Sequence, residues 1–164
     1  MEYVLYRQKG SFSNENQKSE FDIRVLRFTP FHLFADVENF EIKSFILRFY
    51  FGLITAFKAK IFYVVVDNKL VHYSYLIPRC FKFKFLNDKD YEIGPCFTLK
   101  EFRGKGIYPA VLKKITTAIN ENSTFYMIVS SQNISSIKGI EKAKFVKCGI
   151  VKKTFMKNYK VVSE

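Results

Sequence analysis

The sequence predicts a mixed α/β (α+β) domain built on a central, mostly antiparallel mixed sheet of six to seven strands with helices on both faces. Three observations predict it. Short segments rich in β-branched and aromatic residues, separated by polar reversals, recur through the first hundred positions. Residues 40–57 and the residues after Gly106 carry apolar side chains at three- and four-residue spacing, the period of a helix with one buried face. Beyond Gly106 the order becomes helix, strand, helix, strand, which places helices over a sheet begun as an antiparallel meander.

Taken in chain order, residues 3–8 and 21–28 read as short strands around a polar loop at 9–20 in which Ser, Asn, Gln and Lys dominate. From Phe40 to Phe57 the positions Ile42, Phe45, Ile46, Phe49, Tyr50, Leu53, Ile54 and Phe57 define the apolar face of a helix. The segments 61–66 and 70–77 flank Asp67-Asn68-Lys69 as a β-hairpin, and 80–86 and 91–99 read as two more strands around 87–90. Ile107, Val111, Ile115 and Ile119 fall four apart opposite Lys113, Lys114, Thr116 and Thr117, an amphipathic helix with Pro109 in its first turn, where the missing N–H loses no helical bond. A strand at 124–130, a helix at 133–143 and a final strand pair from Phe145 to Val162, reversing near Lys157-Asn158, complete the chain.

At 164 residues the chain suits one domain with a core large enough to need no disulfide or structural metal, and 19 Phe and 10 Tyr supply that core. Cys80, Cys96 and Cys148 are odd in number and widely spaced, so they suggest neither a disulfide framework nor a zinc site. The N-terminal residues lack a signal-peptide layout, and the longest apolar run, 45–57, is short and broken by Arg48, so a cytoplasmic protein without membrane insertion is expected. A net charge of +12, from 27 basic and 15 acidic residues, favours an anionic partner: nucleic acid, anionic headgroups or a phosphorylated small molecule.

The stretch 103-RGKG-106 leaves a strand and opens a helix, which gathers free N–H groups and the positive end of the helix dipole at one point. Such a point binds anions. Two glycines allow positive φ and close approach, while Arg103 and Lys105 add charge for phosphate oxygens. The P-loop pattern and the dinucleotide G-x-G-x-x-G are both absent, and a bare G-x-G also serves as a plain strand-to-helix connection.

The surroundings add a resemblance. Residues 91-YEIGPCFTLKEFRGKGIYPAVL-112 resemble the acetyl-coenzyme A signature of the GNAT acetyltransferase superfamily, R/Q-x-x-G-x-G/A, as Arg103-x-x-Gly106-x-Tyr108, with Tyr in place of the small last residue. Residues 133–145 resemble the second family motif, where Asn133, Ser136 and Phe145 match and Lys144 replaces its closing Gly. The resemblance covers roughly residues 61–145; for the first 60 the family places a strand and two helices. It implies a GNAT-like fold, acetyl-CoA as co-substrate and no metal, with the cofactor between the family's splayed fourth and fifth strands. Cofactor-binding residues implied are Phe97, Thr98, Leu99, Arg103, Gly104, Lys105, Gly106, Ile107, Tyr108, Asn133 and Ser136.

The implied chemistry is direct attack of a primary amine on the thioester, which needs an oxyanion donor, a route for the amine proton and an acid for the thiolate. Glu92 stands where family members often carry the base, or it faces solvent as an ordinary strand acid. The family's acid tyrosine falls at Ile140, so Tyr126, Tyr159 or Tyr108 substitutes, the thiolate leaves with solvent help, or the domain binds CoA without turnover. His72 reads as a packed, hydrogen-bonded residue, and Cys96 as a small core residue rather than a nucleophile. The resemblance points to a small-molecule amine acceptor such as a nucleotide-linked amino sugar, and exposed sheet edges are compatible with a homodimer. The alternative is a basic nucleic-acid-binding module: 79-RCFKFKF-85 alternates cations with Phe like a stacking platform, although any half-buried strand alternates so.

Overall fold

A computed structural model of the chain describes residues 2–11, 20–27, 42–119, 122–153 and 159–163. Its elements run β1 (Tyr3–Lys9), β2 (Ile23–Arg27), α1 (Ile42–Ile54), β3 (Lys60–Val66), β4 (Lys69–Pro78), β5 (Tyr91–Thr98), α2 (Ile107–Ala118), β6 (Thr124–Ser130), α3 (Ile134–Lys142), β7 (Val146–Lys153) and β8 (Tyr159–Ser163). The strands form one sheet in the order β2-β3-β4-β5-β6-β1-β7-β8. Every pairing is antiparallel except β5 with β6. Eight strands exceed the six to seven expected, because the short β2 and β8 both join as edges.

Alternation along the strands sorts apolar side chains to two faces. On one face Phe62, Val64, Ile93, Phe125 and Met127 pack with Val111, Leu112 and Ile115 of α2 and Ile140 of α3. On the other, Ile61, Tyr75 and Ile77 pack with Phe51 of α1 and with Phe83 and Leu86. The β3–β4 hairpin turns on Asp67 and Asn68 at φ of +49° and +59°, the double left-handed geometry that matches strand twist and that Asn and Asp tolerate.

Two sequence expectations fail here. Residues 80–86 form no strand. Pro78 ends β4, a 3-10 turn spans Phe81–Phe83, and the buried pair Phe83 and Leu86 lies three residues apart, a helical spacing that the Lys–Phe alternation concealed. The loop is held by Arg79 on Asp88 at 2.8 Å and by Asp90, which accepts from the Asn87 main chain and side chain and from the Thr124 N–H. The strand alternation on which a stacking platform would rest is therefore missing, and Phe83 is buried with Lys82 5.2 Å over its ring.

The second failure is the inner face of α1. Phe51 is the residue driven into the core, while Ile46, Phe49, Tyr50 and Leu53, expected inside, are exposed. Helix α1 is apolar nearly all round, so spacing alone cannot specify which side meets the sheet. It ends earlier than expected, as Ala56 and Phe57 turn left-handed. Residues 28–41, which include the expected start of this helix at Phe40, and the reversal near Lys157-Asn158 lie outside the described residues.

Helix α3 begins at Asn133, whose side chain accepts from the Ser136 N–H at 3.2 Å, a regular N-cap. It ends in a Schellman motif: the Lys144 N–H bonds Glu141 O at 2.9 Å and the Phe145 N–H bonds Ile140 O at 3.3 Å, with Phe145 and Ile140 both in the core. Lys144 sits at φ of +70°, the left-handed position that glycine takes without strain. Lys144→Gly is therefore expected to raise the free energy of unfolding by up to about 1 kcal/mol; chemical denaturation of both proteins checks it.

Candidate active site

The site begins with one extra residue in β5. Its pairing with β4 runs Ile77↔Glu92 and Leu76↔Ile93, then resumes at Ser74↔Cys96, so Gly94 and Pro95 bulge out of the ladder. On its other side β5 pairs with β6 only at Tyr91↔Phe125 and Glu92↔Tyr126. Past that point the two strands part.

Beyond β5 a 3-10 turn at Lys100–Phe102 leads through Arg103 and Gly104 to Gly106, and α2 starts. Gly104 and Gly106 stand at φ of +78° and +81°, and a Cβ on either would meet nothing within 4 Å. Backbone conformation, not crowding, demands these glycines. Arg103 Nε donates to Thr98 O at 3.0 Å, tying the turn to the end of β5. The first N–H groups of α2 have no intrahelical acceptor and open toward the turn.

Between this turn and α3 lies a groove of about 430 Å³. Of the residues expected to hold a cofactor, Phe97, Thr98, Arg103, Gly104, Gly106, Ile107, Tyr108, Asn133 and Ser136 line it. Leu99 and Lys105 do not: Leu99 packs against the core and Lys105 Nζ rests 4.8 Å over the Phe102 ring. Lys138 and Lys142, one helical turn apart on α3, also line the groove and make no ion pair among the described residues. Both declare themselves only once α3 is packed beside α2.

Tyr108 fills the back of the groove. Its ring packs so closely on α3 that a Cβ at Gly139 would fall 2.5 Å from Tyr108 Cδ1. It lies 5.8 Å from the His72 ring, and its hydroxyl hydrogen-bonds the Cys96 thiol. Burial pushes that thiol up to about 12, so Cys96 is no nucleophile at neutral pH. His72 is fully buried and both ring nitrogens are engaged, Nδ1 with Thr98 Oγ1 at 2.8 Å and Nε2 with Ser74 Oγ at 2.9 Å. Burial holds its pKa down to about 4.

Glu92 reaches the site from the opposite face. Its side chain is 5% exposed, Oε2 has no hydrogen-bond partner, and burial pushes the carboxyl up to about 8 against the pull of Lys82. The alternative of a solvent-facing strand acid is thus excluded. Its carboxylate lies against the bulge: a Cβ at Gly94 would meet Glu92 Oε1 at 2.7 Å. Around it stand Tyr126, edge-on to Phe85 at 5.7 Å, and Tyr159, stacked on Phe83 at 5.9 Å. Lys82 Nζ lies 6.0 Å from the Tyr159 ring. Ile140, where the resemblance sought an acid tyrosine, is core.

A GNAT-family acetyltransferase from Colwellia psychrerythraea matches this structure with TM-score 0.60 and 18% identity over 90% of this chain and 53% of its own. The fold is the GNAT fold. A putative GNAT-family acetyltransferase from Novosphingobium aromaticivorans matches with TM-score 0.57 and 14% identity, covering 91% of this chain and 61% of its own. A conserved protein of unknown function from Staphylococcus epidermidis matches with TM-score 0.55 and 13% identity, covering 91% and 58%. This chain therefore spans 53–61% of the length of these three. No protein-family model and no curated protein match the sequence. The mixed sheet, the parting of β5 from β6 and the turn into α2 are thus features of a GNAT fold.

Glu92 and His72 make opposite demands on pH. A folded-state pKa near 8 against 4.5 unfolded means that Glu92 contributes stability below 4.5 that is lost as pH rises to 8. His72, held near 4 against 6.5, contributes stability above 6.5 that is lost as pH falls to 4. In thermal melts Glu92→Gln is expected to gain on the wild type steadily from pH 5 to 8, because the amide has no charge to bury.

Proposed function

We propose that the chain is an acetyl-CoA-dependent N-acetyltransferase that moves the acetyl group directly to a primary amine. The observation that carries this reading is the position of the buried Glu92 carboxyl, its Oε2 without a hydrogen-bond partner, at the point where β5 leaves β6, with a cationic groove on the far side of the same bulge. The groove fits an elongated anionic ligand. The turn at 103–106 and the start of α2 suit the pyrophosphate, Lys138 and Lys142 suit further phosphate charge, and the β5 main chain at Cys96–Thr98 suits the pantetheine amides. No group of three metal-ligating side chains occurs among the described residues, and this reaction calls for none.

In this reading Glu92 accepts the proton of the attacking ammonium group, which also gives its orphaned Oε2 a partner. Tyr126 and Tyr159 flank the approach to it. The acceptor is a small amine, and a net charge of +12 favours an anionic carrier such as a nucleotide-linked amino sugar. We place the protein in the cytoplasm; no helix among the described residues is long and apolar enough to cross a membrane.

Calorimetric titration with acetyl-CoA tests the cofactor half. Micromolar binding is expected, weakened at least tenfold (~1.4 kcal/mol) by Arg103→Ala with Lys142→Ala, and little changed by Lys105→Ala, whose side chain lies outside the groove. Absence of binding by the folded wild type would overturn the acetyltransferase reading. Steady-state rates with an amine acceptor test the other half. Because Glu92 must be ionised, kcat/KM should climb with pH toward about 8, and Glu92→Gln should cost about 100-fold or more.

A further inference from the structure

Resting on that reading, the structure leaves one role unfilled. A thiolate expelled from the thioester needs a proton, and the position that would carry a tyrosine on α3 holds the buried Ile140. Three tyrosines were candidates. Tyr126 and Tyr159 belong to the α1 side of the sheet, against Phe85 and Phe83. Tyr108 alone of the three lines the groove.

We propose that Tyr108 is the acid that protonates the departing thiolate, its hydroxyl placed by the bulge in β5 and by the space above Gly139. The ring is fixed from both sides, by Gly139 on α3 and by the fully buried His72 on β4. Its hydroxyl has one assigned partner, the Cys96 thiol, on the first residue of β5 after the bulge. A phenol that hydrogen-bonds one sulfur at the mouth of the strand cleft is within the same reach of another sulfur delivered there along β5. Glu92 lies at the same bulge in β5 on the other face of the sheet, so acid and base approach the parting of β5 from β6 from opposite sides.

The proton balance closes. The amine nitrogen bonds to the acetyl carbon as the carbon–sulfur bond breaks; Glu92 takes the proton from nitrogen, and Tyr108 Oη gives one to sulfur. One proton passes from the protonated Glu92 through solvent to the tyrosinate, which restores both groups. Burial raises the Tyr108 hydroxyl well above its usual value, so it keeps its proton at working pH. The same surroundings push the Cys96 thiol beside Tyr108 up to about 12, so a thiolate released there is a stronger base than in water.

Calorimetry with CoA and with desulfo-CoA, which lacks only the thiol, tests the contact without turnover. Wild type should prefer CoA by about fivefold, the reach of one hydrogen bond, and Tyr108→Phe should bind the two within twofold. Release of free CoA from acetyl-CoA with hydroxylamine as acceptor should fall about 100-fold in Tyr108→Phe, with acetyl-CoA affinity changed less than about threefold and the fold retained by circular dichroism, since the ring and its packing are kept. Equal discrimination in both proteins, or an unchanged rate in the variant, overturns the assignment of Tyr108. Failure of the wild type to bind either ligand, or to release CoA at all, overturns instead the acetyltransferase reading on which it rests.

Discussion

The extra residue that Gly94 and Pro95 put into β5 is the constraint on which the site depends. A regular strand would keep Glu92, Gly94 and Cys96 on one face, with β6 paired along its whole length. The bulge breaks that parity. Glu92 stays with Tyr126 toward α1, while Cys96 and Thr98, opposite Ser74 and His72, turn toward α2. A proline is tolerated at the bulge because the extra residue is unpaired there and its missing N–H leaves no ladder bond unmade. Glycine is needed beside it because the Glu92 carboxylate occupies the space a Cβ would take. The buried Glu92 carboxyl on one face and the groove-lining Cys96 and Thr98 on the other therefore come from one irregularity in one strand.

The same burial acts on three ionisable groups near the bulge, and their partners separate structure from function. His72 is driven toward the neutral form, yet both its nitrogens are bonded to Thr98 and Ser74. It fixes the end of β5 against β4. Cys96 is driven toward the thiol and is bonded to Ser74 and Tyr108. Glu92 is driven toward the acid with an oxygen left unbonded. A carboxyl that gives up both solvent and partners costs stability, and such a cost marks a group reserved for something the folded chain alone does not contain.

How much of this was readable in the sequence depends on how local each cause is. The Asp67-Asn68 turn and the apolar stripe of α2 are local and stand as read, except that Thr116, placed on the polar face, is buried. The two glycines of the anion turn are equally local, since backbone conformation alone requires them. The misreadings are long-range. The rotation of α1 that buries Phe51 is chosen by the sheet it meets, and the coil at 80–86 by Asp90 bonding across to Thr124. Nor could spacing say that Glu92 is buried, which follows from a bulge in its own strand, or that Lys138 and Lys142 face a groove, which follows from the packing of α3 beside α2.

Two departures from the motifs that the sequence resembles meet between two helices. Tyr108 stands on α2 where the motif has a small residue, and Gly139 stands opposite it on α3 with no side chain at all. The next residue, Ile140, has gone into the core, where its carbonyl also closes the α3 cap with Phe145. The Tyr108 ring fills the space that Gly139 leaves on α3, so the two positions are complementary in volume. Packing alone would be met by any pair of complementary apolar residues here. The hydroxyl, turned to the Cys96 sulfur, is the one feature of the pair that close packing does not require.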